Sequence, residues 1–278
     1  MKKSTLLTAA ALVLIGCALF AAVMSGLGWD VTKLSTVNYE TNTHEINQTF
    51  DRISVDTDTA DIRFVRSADG TCTVVCHEAE KANHSVAVND GTLTICLVDE
   101  RAAADFVGIN LGSTAITISL PEAEYTSLKI RDDTGDVEIP KDFTFQTVNI
   151  SLSTGDIRME QVSADELDIS VSTGKVQLTE VACRCMTARG STGDISLERV
   201  IATEMLSIAT NTGDVKFTGC DAAEIYVETD TGDVTGNLLS DKVFVTQTDT
   251  GRVDVPRTAT GGRCEITTDT GDIKIRIG

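Results

Sequence analysis

The stretch "VETDTGDV", residues 227–234, decides the fold, because close copies of it recur through the C-terminal half of the chain. Glycine follows threonine at Gly135, Gly155, Gly174, Gly193, Gly213, Gly232, Gly251 and Gly271, in steps of 20, 19, 19, 20, 19, 19 and 20. Self-similarity at about 20 residues is the signature of a solenoid, whose repeats bury their apolar faces against one another. Counting each glycine as zero, position −7 holds Leu128, Val148, Leu167, Met186, Leu206, Ile225, Phe244 and Cys264, all apolar. Position +2 holds Val137, Ile157, Val176, Ile195, Val215, Val234, Val253 and Ile273, all of the β-branched type that favours strands.

Parity then sets the cross-section. Apolar residues also favour −5 (Ile150, Ile169, Ile208, Val227, Ile266), +4 (Ile139, Met159, Leu178, Leu197, Phe217, Val255, Ile275) and +7 (Val162, Val181, Val200, Cys220, Leu239). A strand alternates with period two, so a change from odd to even inward positions requires a bend. One corner therefore falls at Thr-Gly-Asp, a second between +4 and +7, and a third between +7 and the next −7. The expected fold is all-β: a three-sided parallel β-solenoid with rungs of 19–20 residues. The eight glycines are its turn-forming residues, free to take φ > 0, and the Asp beside them can hydrogen-bond turn backbone.

Upstream, "FDRISVDTDTADIRFV" puts Ile53, Val55, Ala60, Asp61, Ile62 and Phe64 at −7, −5, 0, +1, +2 and +4, with Ala in place of Gly. The period then lapses. Residues 65–120 contain "TCTVVCHE", "HSVAVNDGTLTICLVDE" and "TAITISLP", and Asp90-Gly91 between alternating segments is a type I′ hairpin signal. They read as an antiparallel elaboration that caps the first rung. At the other end "DIKIRIG" reads as a bare outer strand, with Lys274 and Arg276 pointing outward to discourage aggregation.

The N-terminus is apolar. No charge occurs from Ser4 to Trp29, after Lys2 and Lys3, and about 20 apolar residues suffice to cross a bilayer. The run exceeds the apolar core of about 7–15 residues usual in a signal peptide, so an uncleaved single-pass anchor with an extracytoplasmic C-terminal domain is expected. The alternatives are a cleaved signal, giving a secreted protein, and a lipoprotein, because "LIGC" ends in a lipidation candidate, Cys17. The expected organisation is residues 1–29 as anchor or signal, 30–50 as a polar stalk, 51–120 as first rung plus cap, and 121–278 as the eight-repeat solenoid.

Charge excludes some partners. The formal net charge is −19, and residues 1–50 balance (Lys2, Lys3 and Lys33 against Asp30, Glu40 and Glu45), so all of it lies in 51–278. Such a surface repels nucleic acid and anionic lipid and keeps the rod soluble and monomeric.

The anchor, the "FDRISVDTDTADI" opening, the "ITISLPEAEYTSLKI" junction and the "STGDI" and "DTGDV" repeats together resemble a bacterial adhesin-like family of β-strand-repeat proteins of unknown function. That family includes LiaG-like membrane-anchored proteins of Gram-positive envelope-stress operons. The resemblance covers about residues 50–278 and implies a cell-surface binding or structural role, with no catalytic residues to carry over. A partner could be wall glycan or another surface. As an accessory of an envelope-stress response, the protein would instead touch a membrane sensor or a cationic peptide.

Chemistry is sparse in the pattern. The +1 column of Asp136, Asp156, Asp194, Asp214, Asp233 and Asp272 could form a calcium ladder, but Lys175 and Arg252 interrupt it and turn formation explains it as well. Asp194 and Asp214 on adjacent rungs approach the carboxylate spacing of a retaining glycosidase, yet every rung offers a similar pair, so no enzyme and no cofactor is expected. At −2, Ser153, Ser172 and Ser191 give way to Asp230, Asp249 and Asp269, an acidic strip that either solvates the rod or docks a cationic partner. Of eight cysteines, Cys220 and Cys264 fall in core columns, and Cys183 and Cys185 at a corner are candidate reactive thiols. "CTVVCH" with His84 suggests zinc, but no second spaced Cys or His pair supports it, so no metal is expected there.

Overall fold

The computed structural model describes residues 3–102, 110 and 112–278. Each rung, named here by its corner glycine, has three sides. In the Gly155 rung, strand Phe143–Thr154 leads to the Thr-Gly-Asp corner, strand Ile157–Glu160 follows, and the next rung begins with Val162–Thr173. Adjacent rungs pair in parallel and in register, with Val148 on Leu167, Ile150 on Ile169 and Thr154 on Thr173. Pairing skips Gln146 and Asp165, so the longer strands bend there, which is the third corner. The second lies at Asp142, Gln161, Glu180, Arg199 and Gly219, all with φ between 52° and 67°. Two of the 20-residue steps are absorbed differently: one at the register shift between Ala202 and Met205, one by an extra residue before Phe143.

The glycines are required by stacking as much as by conformation. A Cβ on Gly155, Gly174 or Gly193 would lie 1.9 Å from the carbonyl oxygen of the preceding corner glycine, far inside contact distance. Their φ values of 135–148° are also unfavourable for a side chain. Ala60 occupies the same register, its N–H donating to Thr134 O as that of Gly135 donates to Thr154 O. It tolerates a methyl group because no glycine corner stacks beneath it.

The columns face inward as the parity argument requires. Positions −7, −5, +2 and +4 are buried in the Gly135 to Gly213 rungs and in the Gly271 rung. Position −3 joins them, with Asp132, Leu152, Val171, Thr210, Thr229 and Thr268 buried. One column residue is corrected: Cys220 pairs with Leu238, which is buried, while Leu239 is 54% exposed. An aromatic cluster lies at the cap end, where Phe143 lies 6.2 Å from both Phe64 and Phe145, and Tyr125 lies 5.9 Å from Phe145.

The C-terminal end departs from chain order. Strand Gly262–Thr270 pairs on one side with Val215–Thr231 and on the other with Lys242–Thr250. Hydrogen bonds run from Gly232 N–H to Thr270 O and from Gly271 N–H to Thr250 O. The Gly271 rung is therefore inserted between the Gly232 and Gly251 rungs, so the expected bare edge at "DIKIRIG" is covered by Val253 and Asp254 at Ile273 and Lys274, while Ile275–Ile277 pair only with strand Val234–Leu238. The exposed edge is the Gly251 rung. Its composition explains the placement: Thr246 replaces the apolar −5 residue, and Pro256 and Arg257 cut its third side short, features that suit an edge. Ile266 and Ile273 bury fully only with a rung on each side.

The cap is mixed. Cys72–Ala79 pairs antiparallel with Tyr39–Ile46 and with Ala115–Leu120, and Ala82–Asn89 pairs antiparallel with Thr92–Asp99. Asp90 and Gly91 have φ of 48° and 73°, as a type I′ turn needs. Thr92–Asp99 and Ala115–Leu120 also lie parallel on the first rung, with Leu93 on Ile53 and Ile116 on Ile62. Residues 39–46, within the segment read as a stalk, thus form a cap strand. Helix Lys3–Gly26 precedes them, and of residues 8–26 only Met24 is buried.

Candidate functional site

Three features carry polar chemistry. The first is the +1 column at the Thr-Gly-Asp corner. Each Asp accepts the backbone N–H of the +1 residue on the next rung: Asp61 from Asp136 (3.0 Å), Asp136 from Asp156 (2.8 Å), Asp156 from Lys175 (2.8 Å) and Asp194 from Asp214 (3.1 Å). Asp214 accepts from Asp233 (2.9 Å), Asp233 from Asp272 (2.7 Å) and Asp272 from Arg252 (2.8 Å). The carboxylate recurs on every rung that another rung follows except the Gly174 rung, where Lys175 offers no acceptor to the Asp194 N–H. Arg252 sits on the last rung, which none follows, so its place in the column costs nothing.

Cations occupy much of the remaining carboxylate surface. Arg158 bridges Asp136 at 3.3 Å and Asp156 at 2.7 Å, and Lys175 lies 3.7 Å from Asp194. Arg252 meets Asp272 at 2.8 Å, and that hydrogen bond holds the Asp272 carboxyl below its ordinary range. The arrangement fastens corner to corner.

The second feature is the acidic end. In the inserted order, Asp230, Asp269 and Asp249 at −2 follow one another on three successive rungs, all exposed. Adjacent rungs lie about 4.8 Å apart. The strip runs to the exposed edge.

The third feature is buried in the cap. His84 Nδ1 lies 2.6 Å from Glu78 Oε2, which also accepts the His84 backbone N–H at 2.6 Å. Asn42 Nδ2 donates to Glu78 Oε1 at 2.9 Å, and Thr57 Oγ1 lies 2.8 Å from His84 Nε2. Cys76 joins them, its Sγ within 4.8 Å of a ligating atom from each. Beside Thr57 on the next rung, Asp132 is 1% exposed, and its Oδ2 has no hydrogen-bond partner. Burial pushes that carboxyl up to about 6.

The cysteines are free thiols. Burial pushes Cys183 up to about 11 and Cys76 up to about 12, with the Glu78 charge adding to the latter. Cys185 is also raised, chiefly by desolvation, so neither corner thiol has the lowered pKa of a reactive cysteine. Sequence reasoning paired Cys76 with His84 but missed Glu78. The available signal was its alternation with Cys72, Val74 and Cys76 on one strand face, which puts a carboxylate inside.

These features belong to a three-sided β-solenoid with a mixed-strand cap. The sequence profile of the Toastrack DUF4097 family matches residues 50–200 and 180–278, and the chain belongs to that family. No curated protein matches the chain in sequence. Among solved structures, a proposed adhesin from Bacteroides fragilis NCTC 9343 is similar at 16% identity, covering 86% of this chain and 97% of its own, with a TM-score of 0.46. A proposed adhesin from Parabacteroides merdae ATCC 43184 has 12% identity, covers 87% and 98%, and has a TM-score of 0.43. A proposed lipid-binding protein from Parabacteroides distasonis ATCC 8503 has 14% identity, covers 87% and 98%, and has a TM-score of 0.37.

Proposed function

We propose that the protein is a membrane-tethered, extracytoplasmic rod with a non-catalytic, adhesin-like binding or structural role at the cell surface. The observation that carries this reading is the pairing of two unlike parts. Residues Thr8–Gly26 form a helix apolar enough to span a bilayer, with Leu12, Leu14, Leu19 and Phe20 exposed. The body that follows is a stiff stack whose exposed Thr and Ser/Asp ladders repeat one chemistry every rung, a geometry suited to a repetitive surface ligand such as wall glycan. The helix holds one end, so the rod projects its sides and its acidic edge away from the membrane.

The test uses the full chain in its producing cells. Membrane fractionation with external protease should leave the helix membrane-bound and release the rod. Purified full chain in detergent should bind isolated wall saturably. Recovery of intact chain in the soluble medium, or no binding to wall at low or high salt, contradicts the reading.

A second reading has its own support. Asp230, Asp269 and Asp249 on consecutive rungs, with Asp233 and Asp272 beside them, favour a cationic protein or peptide as partner, as an envelope-stress accessory would require. Binding of that kind should weaken steeply with salt and be lost when the three −2 aspartates become serine, the residue at −2 in the Gly155, Gly174 and Gly193 rungs.

A further inference from the structure

We propose that Cys76, Glu78 and His84 form a zinc site that clamps two strands of the N-terminal cap together. The proposal rests on the cap geometry and is independent of the adhesin-like reading. The three residues come from facing strands, Cys72–Ala79 and Ala82–Asn89, and their ligand atoms all lie within 4.8 Å of one another. Sulfur, imidazole nitrogen and carboxylate oxygen together are the donor set that zinc prefers over hard, oxygen-seeking cations.

Three observations favour a ligand over a chance polar cluster. The residues are buried in a core that is otherwise almost wholly apolar, where unpaired polarity is costly. The atoms facing away from the cluster are already held: Asn42 Nδ2 donates to Glu78 Oε1 at 2.9 Å, and Thr57 Oγ1 lies 2.8 Å from His84 Nε2. Metal-binding imidazoles and carboxylates are oriented by such outer contacts. Finally, on the strand beside Cys76, His44 carries a buried Nε2 with no hydrogen-bond partner. The cap therefore holds a buried nitrogen ligand atom that its internal hydrogen bonds do not use.

The fit requires little movement. Tetrahedral zinc with bonds of about 2.0–2.3 Å separates its ligand atoms by about 3.3–3.8 Å. Glu78 Oε2 and His84 Nδ1, at 2.6 Å, must part by less than an ångström, a side-chain rotation. The charges also close. Binding expels the Cys76 thiol proton to solvent and leaves thiolate, carboxylate and neutral imidazole around a divalent ion, with no net charge in a buried place. The imidazole proton sits on Nε2 in that state, and Thr57 Oγ1 accepts it. A water completes the fourth position.

The test uses the full chain in detergent, unfolded with chelator and refolded with cobalt(II) as a spectroscopic stand-in or with zinc. The expected result is one metal per chain and a thiolate-to-cobalt charge-transfer band. That band should vanish in Cys76→Ser and persist in Cys185→Ser. Zinc should raise Tm by several degrees in the wild type and not in Cys76→Ser. Should Cys76→Ser fail to fold, Glu78→Gln keeps the shape of the side chain and should weaken cobalt binding at least tenfold. A correctly folded wild type that takes up no cobalt, a band that survives Cys76→Ser, or unchanged affinity in Glu78→Gln overturns the proposal.

Discussion

The Gly271 and Gly251 rungs carry nearly the same motif and live in opposite surroundings. "TTDTGDIKI" has rungs on both sides, and its Ile273 and Ile275 are buried. "TQTDTGRVDV" has a neighbour on one side only, and its Val253 is 44% exposed. The repeat therefore fixes the shape of a rung but not its address along the rod. The address is set by the residues that depart from the repeat: Thr246, Arg252 and Pro256 mark the rung that can stand at an edge.

The sharpest way to break this comparison is at the corners. Gly193→Ala should destabilise the rod by at least about 4 kcal/mol, because its Cβ would meet the Gly174 carbonyl oxygen at 1.9 Å. Ala60→Gly, in the same register at the end of the stack, should cost under about 1 kcal/mol. Chemical unfolding midpoints would compare the two.

The columns offer the next contrast. Ile275→Ala should cost about 2–5 kcal/mol, since it empties a fully buried site on the inserted rung. Val253→Ala on the edge rung should change stability by about 0.5 kcal/mol or less. Equal losses in the two would place both rungs in the interior.

Asp132 sharpens the contrast between body and cap. Its carboxyl, ordinarily near 3.8, is raised to about 6 in the fold, so the native state holds a proton the unfolded chain has released between those values. Stability therefore falls as pH rises from about 4 to about 6 and stays lower above. The shift corresponds to at most about 3 kcal/mol. Asp132→Asn should gain relative to wild type at pH 8 and lose that advantage at pH 4, as read from denaturant midpoints.

The smallest effect concerns the corner ladder. Lys175→Asp supplies the missing acceptor for the next rung, gives up the exposed 3.7 Å contact with Asp194, and should stabilise by a net of about 0.5 kcal/mol. Arg252→Asp should give no gain, because no rung follows it and its contact with Asp272 is lost. Thermal midpoints measured at one pH suffice.

Much of the architecture was legible because a solenoid repeats its constraints. Eight glycines, two parity changes, the 19-or-20-residue step and the −7 and +2 columns gave the three sides, the rung length and the register of Ile53, Ala60 and Ile62 on Leu128, Gly135 and Val137. Rung order was not legible. A parallel rung pairs equally well with any neighbour of the same pattern, and only burial on both sides distinguishes Ile273 from Val253. The cap was harder still. Its strands lack the period, Tyr39–Ile46 reads as polar linker because its outward residues dominate, and Glu78 enters the core through contacts from strands distant in sequence.

The rung order is tested most directly by through-hydrogen-bond scalar couplings in the full chain, with 15N-glycine and 13C-carbonyl threonine labels. The account predicts coupling from the Gly232 amide to the Thr270 carbonyl and from the Gly271 amide to the Thr250 carbonyl. Coupling from Gly232 to Thr250 would mean that the rungs stack in chain order, and would contradict it.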